Sequence, residues 1–309
     1  MYELAILARG GILLTARAVA TGWPPGRLAA RLRRDGWQRI CRGAWAAPGK
    51  EVDWRVHAAA LQHLRPDLVC SHGTAAHLHR IEQLGTDGPP DLLHFTAPPP
   101  ARPTRDHRLR LHTTTHLTDR DHTTRRGLRT TTPARTVADL IRSSRTREEA
   151  VVTADSALAS RAVDGVRRGA LLRYDDLAAE LTTRRPGSTR ARAWLPWAEP
   201  SSGSPAETVA RLRIRDAGLI PESQPTLHTP DGRPLRPDFL FRPAGLAVEI
   251  EGYAFHGTRR AHERDIARFN ALQSCPDIRR VLRFTATEVF HHPHRMTTTI
   301  LAALAALSR

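Results

Sequence analysis

Residues 235–251 read LRPDFLFRPAGLAVEIE, and the placement of the acids in this stretch decides how the C-terminal third is read. Residues 235–241 and 246–251 are runs of large apolar side chains separated by Arg-Pro-Ala-Gly, which predicts two strands around a turn. Asp238 falls in the first strand. Glu249 and Glu251 lie two apart in the second, and strand alternation puts both on one face, roughly 7 Å apart. Phe239, Leu240, Phe241, Ala247, Val248 and Ile250 surround them, so the acids emerge from a largely buried sheet, where unpaired charge is costly.

Working outward, residues 205–217 predict a helix stopped by Gly218, and Glu207 brings it a further carboxylate. Residues 223–228 predict another strand. Residues 262–273 predict a helix on which Asp265, Arg268 and Phe269 recur three to four apart, so that one edge approaches the acids while Phe269 and Leu272 pack on the sheet. A hard divalent cation, Mg²⁺ or Mn²⁺, would resolve the cost of crowded carboxylates, because such ions take oxygen ligands and keep waters for chemistry. The alternative is that the acids pair with Arg236, Arg283 and their neighbours as exposed salt bridges. Spacing alone leaves both open. The tract His291-His292-Pro293-His294 is read as an exposed helix cap rather than a metal-binding tract.

The chain has 309 residues and a formal charge of +16, from 47 Lys plus Arg against 31 Asp plus Glu. Its length suggests two or three domains, and its charge favours polyanionic partners, nucleic acid first. Lys50 is the only lysine, a bias that fits GC-rich coding as well as phosphate binding. Cys41, Cys70 and Cys275 are odd in number and widely spaced, which argues against a disulfide framework or a cysteine zinc site. No apolar run approaches the roughly 20 residues of a membrane span, and the first residues lack the order of a signal peptide. A cytoplasmic protein is expected.

Residues 1–50 predict a winged helix-turn-helix: helices over 3–8 and 15–20, a third opened by Pro24-Pro25, and a hairpin around Arg42-Gly43. On the third helix Leu28 and Leu32 face inward, while Arg27, Arg31, Arg33 and Arg34 surround them. Such a unit lays one helix in the major groove and sets its wing on phosphate. Residues 51–185 predict a compact α+β domain, with helices at 53–64, 74–79, after Thr132-Pro133 and at 147–159, and strands at 92–96 and 109–113. His72, His77 and His79 cluster there and are read as satisfied or surface histidines rather than metal ligands. Residues 186–204 read as a linker carrying a short Trp-containing helix, and 205–309 as the C-terminal domain. The expected fold class is multi-domain α+β, its C-terminal domain an α/β unit with a mixed central sheet.

Over residues 205–309, the helix with Glu207, Arg-Pro-Asp238-Phe-Leu-Phe, Ala-Val-Glu249-Ile-Glu251-Gly-Tyr-Ala-Phe-His256, Glu263-Arg264-Asp265 through Asn270, and Arg280-Val-Leu-Arg283-Phe-Thr285 resemble in order and spacing the Vsr-like domain. That is the very-short-patch-repair endonuclease-like family of the PD-(D/E)xK restriction endonuclease superfamily. The resemblance implies that Asp238 and Glu249 ligate a metal ion, with Glu207 as the helix acid. It departs from the superfamily pattern at Glu251, which stands where a catalytic lysine is expected; His256 or Arg268 is the substitute. Over about residues 1–180, Arg42-Gly43-Ala-Trp45, Ser71-His72-Gly-Thr74-Ala-Ala-His-Leu-His79 and Thr132-Pro-Ala-Arg135-Thr-Val-Ala-Asp139-Leu resemble AbiEi-type antitoxins of type IV toxin-antitoxin systems. That resemblance implies DNA binding, autorepression and a toxin partner, with Arg27, Arg31 and Arg34 as contacts and Arg42 on the wing.

These features together predict a DNA-binding protein, its substrate double-stranded, with a Mg²⁺-dependent endonuclease domain in which Glu207, Asp238 and Glu249 hold the metal and Glu251 and His256 assist. The competing prediction is a non-enzymatic DNA-binding regulator or antitoxin whose nuclease fold is degenerate. RNA as substrate, and the oligomeric state, are left open by the sequence.

Overall fold

The computed structural model describes residues 3–86, 88–100, 106–251 and 259–309, with the side chains of 259–262, 264 and 265 outside the description. It is a mixed α+β chain with several sheets, and it divides into two compact units, Met1–Ile81 with Gly85–Leu140, and Glu82–Leu84 with Ile141–Arg309.

The first unit opens with two turns rather than the helix expected over 3–8. Their backbone bonds run Ile6 N–H to the Glu3 carbonyl and Ala8 N–H to the Ala5 carbonyl. Gly10 and Gly11, both at positive φ, stop the segment before it reaches a length at which a helix sustains itself. Strand β1 (Ile12–Leu14) follows, then α1 (Thr15–Ala20), α2 (Pro25–Arg34), β2 (Gln38–Cys41) and β3 (Ala44–Ala46), in a three-stranded sheet of order β1-β3-β2. Leu28 and Leu32 of α2 are fully buried with Leu13, Ala18, Trp37 and Trp45, as their four-residue spacing requires. Gly43, at φ +93°, makes the hairpin turn.

Helix α3 (Trp54–Leu64) is capped by Asp53, whose carboxylate accepts the Val56 N–H at 2.9 Å. The chain continues through β4 (Val69–Cys70), α4 (His72–His79), β5 (Leu93–Ala97), β6 (Leu109–Thr113), β7 (His122–Arg125), β8 (Leu128–Thr131) and α5 (Pro133–Ser143). The five strands form one mixed sheet of order β6-β5-β4-β8-β7. His79 donates to the Thr131 carbonyl at 2.7 Å, so it is a satisfied core histidine.

The second unit contains α6 (Arg147–Leu158), the hairpin β9 (Arg161–Val163) and β10 (Val166–Arg168), α7 (Tyr174–Thr182), α8 (Ser188–Trp194) and α9 (Pro205–Asp216). It continues with β11 (Glu222–Ser223), β12 (Leu227–His228), β13 (Pro234–Leu235), β14 (Phe239–Phe241), β15 (Leu246–Glu251), α10 (Arg259–Ser274), β16 (Arg280–Thr285), α11 (Ala286–His291) and α12 (Pro293–Leu307). Its main sheet, β11-β14-β15-β16, is antiparallel across β14/β15 and parallel across β15/β16.

Along β15, Leu246, Val248 and Ile250 face a core shared with α9, α11 and α12, whereas Ala247 packs with Leu240 and with Leu272 of α10. Glu249 and Glu251 have the parity of Ala247 and so lie on the α10 face. The stretch expected to be a linker is packed: Ser188, Ala191, Leu195 and Ser202 are buried, and the Arg147 guanidinium lies over the Trp197 ring at 4.5 Å. Helix α9 is tied to α6 by a fully buried ion pair, Arg211 Nη2 to Asp155 Oδ2 at 2.6 Å. The division therefore falls inside α5 rather than near residues 185–205, because α9 is held by α6 and by residues 197–202, where Arg211 bonds the Trp197 carbonyl and Ser202, and Arg215 bonds Glu199.

Candidate functional site

Strand geometry explains why Asp238 and Glu249 meet. Residues 235–241 do not form one strand; Arg236-Pro237 interrupts them, since proline supplies no N–H to a ladder, and Leu235 pairs with Leu227 instead. The β14/β15 register pairs Phe239 with Val248, which leaves Asp238 one step outside the ladder beside Glu249. Its N–H donates to Glu249 Oε1 at 3.1 Å, and its Oδ2 accepts the Ile250 N–H at 2.7 Å.

Glu207 arrives from the start of α9, where the Ser204 hydroxyl caps the helix by accepting the Glu207 N–H at 3.2 Å. Glu207 Oε2 accepts from the Gly203 N–H and from Gln224 Nε2, both at 2.7 Å, and the residue is only 8% exposed. The space is tight: a Cβ on Gly203 would sit 3.0 Å from Glu207 Oε1 and from Gln224 Nε2, so either side chain would have to give by a few tenths of an ångström. Gln224 itself takes a left-handed conformation, φ +44°, and its N–H donates to the Asp238 carbonyl.

The electrostatics follow from this crowding. Burial first, and then the negative charges of Glu207 and Glu249, push the Asp238 carboxyl up to about 8, against the Ile250 N–H and Arg268, which favour ionisation. Burial also raises Glu249, opposed by Arg268. Arg268 of α10 forks onto Glu249, with Nε at 3.1 Å and Nη2 at 3.0 Å from Oε2, and Nη2 also donates to the Arg236 carbonyl at 2.7 Å. Glu251 is engaged by Arg283 Nε at 2.6 Å, and that guanidinium lies 5.0 Å from the centre of the Phe269 ring.

The structure thus brings together Glu207, Asp238, Glu249 and Arg268, with Glu251 and Arg283 on the same face of the sheet. The salt-bridge alternative is realised at Glu251 through Arg283, and at Glu249 through Arg268 rather than Arg236. His256 lies outside the described residues. In the first unit Arg27, Arg31 and Arg34 are exposed along α2 and Arg42 at the hairpin turn, and Arg31 is held by Asp35 at 2.6 Å.

Sequence reasoning missed Gly203 and Gln224, which set the Glu207 carboxylate, and it missed two clusters in the first unit. Among the described residues, His72–His94–His112 and Cys41–His57–Asp106 are groups whose ligand atoms all lie within 4.8 Å of one another; the three acids of the second unit are not such a group. The histidine cluster was detectable in principle: with β5 and β6 side by side, His94 and His112 alternate onto one face.

No family model matches the chain. Two proteins of Mycobacterium tuberculosis, the uncharacterized proteins MT2308 (strain CDC 1551 / Oshkosh) and Rv2248 (strain ATCC 25618 / H37Rv), are each 35% identical to it over 148 residues, 48% of this chain and 52% of theirs. The chain thus spans about half the length of the curated relatives it matches. Among solved structures, the crystal structure of the RV2827C protein from Mycobacterium tuberculosis is similar at 18% identity, over 74% of this chain and 87% of that one, with a TM-score of 0.45. That likeness is too loose to fix the fold. Among the described residues, no helix is long and apolar enough to cross a membrane.

Proposed function

We propose that this chain is a cytoplasmic DNA-binding protein whose C-terminal carboxylates serve divalent-metal-dependent hydrolysis of phosphodiester bonds. The observation that carries the reading is the crowding at Asp238, a buried carboxyl pushed up to about 8 with Glu207 and Glu249 as its charged neighbours. Carboxyls crowded in this way are enriched at functional sites, and a cation is the partner that would relieve them.

The chemistry of the donor set suits a hard ion such as Mg²⁺ or Mn²⁺, since the three acids offer oxygen donors alone, and an ion would have to draw them together, because their oxygens do not all lie within 4.8 Å of one another. Glu207, Asp238 and Glu249 would hold it. When bound, the ion supplies Lewis acidity toward phosphate and acidifies water. Arg268 and Arg283 bring guanidinium charge to the face where the Vsr-like resemblance lacks its lysine, and there they neutralise phosphate. The Arg283 pair orients Glu251. His256 is retained as a candidate for proton transfer.

A mixed sheet with helices on both faces supports the restriction-endonuclease-like assignment. For the first unit, α1, α2 and the β2/β3 hairpin support a winged helix-turn-helix, with Arg27, Arg31, Arg34 and Arg42 as phosphate or base contacts. The formal charge of +16 supports the same partner.

A second reading, a non-enzymatic regulator or antitoxin with a toxin partner, is favoured by one observation: the Arg268 fork already engages both oxygens of Glu249. Plasmid cleavage with Mg²⁺ and with Mn²⁺, wild type beside Asp238→Ala, decides between them. The hydrolase reading expects nicking or linearisation by the wild type and at least about a 100-fold loss in the variant, with DNA retardation in gels preserved. Retardation without cleavage by the wild type in either metal would overturn it in favour of the regulator.

A further inference from the structure

The five-stranded sheet of the first unit carries a second concentration of chemistry, independent of the acids. Strands β5 and β6 run in parallel with His94 opposite Arg110 and Thr96 opposite His112, so His94, Thr96 and His112 share one face. Helix α4 is fastened there: the Ser71 N–H donates to the His94 carbonyl at 3.0 Å, and the His94 N–H to Thr74 Oγ1 at 2.8 Å. These bonds bring His72, the first residue of α4, onto the pair. Its ring stacks on that of His112 with centroids 3.8 Å apart, and His94 Nδ1 lies 3.0 Å from His112 Nε2.

We propose that His72, His94 and His112 bind one divalent transition-metal ion of the imidazole-favouring kind, Zn²⁺ foremost. Their ligand atoms lie within 4.8 Å of one another. His94 Nδ1 and His112 Nε2 share a hydrogen bond at 3.0 Å; two nitrogens on a tetrahedral Zn²⁺ at about 2.05 Å stand about 3.3 Å apart, so an ion would replace that bond with little movement, while the His72 ring, stacked on His112 at 15°, would turn to bring a nitrogen to it. Three imidazoles and an open fourth position suit Zn²⁺, Co²⁺ or Ni²⁺ rather than Mg²⁺.

Two further observations bear on the site. His72 takes φ +46°, a strained conformation for a residue with a Cβ, which holds its ring against the strands. Thr96 Oγ1, on the same face, is buried without a hydrogen-bond partner among the described residues, an acceptor or donor that a water on the ion would satisfy. The positive charge of Arg135 is offset by Asp139 at 2.7 Å and Asp121 at 3.5 Å. The Cys41–His57–Asp106 group is the weaker candidate. His57 is already bound to Asp106 at 2.7 Å, and burial and Asp106 push the Cys41 thiol up to about 11, away from the thiolate that ligates.

The test is titration of the EDTA-stripped full chain with Co²⁺, then with Zn²⁺. The expected result is a visible Co²⁺ spectrum of low-coordinate type that saturates at one equivalent and is displaced by Zn²⁺. His94→Ala and His112→Asn should each weaken it by at least about 100-fold, more than an outer-sphere change does, while Cys41→Ser and Asp238→Asn leave it unchanged. Absence of that spectrum from the wild type at excess Co²⁺ overturns the proposal whether or not the variants fold. So does a spectrum that survives both histidine substitutions. Neither result would touch the carboxylate site.

Discussion

Two aspartates of the second unit are both taken out of water, and their surroundings could hardly differ more. Asp155 of α6 meets the Arg211 guanidinium at 2.6 Å, the Thr208 hydroxyl at 2.8 Å and the Glu199 N–H at 2.6 Å. Asp238 meets one N–H, that of Ile250, and two carboxyls. Burial of an acid is thus no mark of function by itself. A buried acid whose polar demand is met is a fastening, whereas one crowded by its own kind costs stability and persists where something outside the chain can answer it.

The sharpest way to break the comparison is at Asp155. Asp155→Ala leaves Arg211, with 0% of its side chain exposed, without its carboxylate, and about 3–5 kcal/mol of stability should be lost in denaturant titrations. Replacing both partners by apolar residues of similar volume should recover much of it; a failure to recover would mean that the pair does more than fill space.

The second test is at Asp238, where substitution should stabilise the chain rather than destabilise it. A carboxyl whose folded value is raised keeps its proton while the unfolded chain releases one. Stability therefore falls as pH rises from the usual aspartate range to about 8 and levels off above. Asp238→Asn should flatten that decline and stabilise the chain at pH 9 by upwards of about 1 kcal/mol. Mn²⁺ should raise the melting temperature of the wild type and not of the variant. Burial raises the Asp155 carboxyl as well, so the contrast rests on the substitutions: an Asp238→Asn chain that declines with pH as steeply as the wild type would remove it.

The smallest effect is expected from Arg268→Ala. That side chain is 41% exposed, so its fork on Glu249 should contribute no more than about 1 kcal/mol. Mn²⁺ affinity should rise, since Glu249 is released to the ion. A fall in affinity instead would make the guanidinium part of the site's scaffold rather than a competitor.

Local pattern made half of this contrast legible. Period-two alternation identified Glu249 and Glu251 as sharing a face, and Gly218 marked the end of α9. Asp155 was invisible, because its partners lie 44, 53 and 56 residues further along the chain and nothing in the helical periodicity of α6 announces them. The same distance problem hid the histidine cluster, which is assembled from three elements, and misread residues 186–204, whose loop-like composition conceals buried Ser188, Ala191 and Leu195. Strand β1 was lost for a different reason. At three residues it is too short for alternation to register, and only its pairing with β3 makes it a strand.

The three residues Glu82–Leu84 belong to the second unit although the chain on both sides of them belongs to the first. Glu82 bonds Ser156 and Arg161, and Leu84 packs on the core of β14, β15 and α9. The polypeptide is therefore not two cassettes joined end to end. An exchange of gene segments at any one point between the units would carry off a piece of the other's core, so the two halves are constrained to be inherited, truncated or transplanted together.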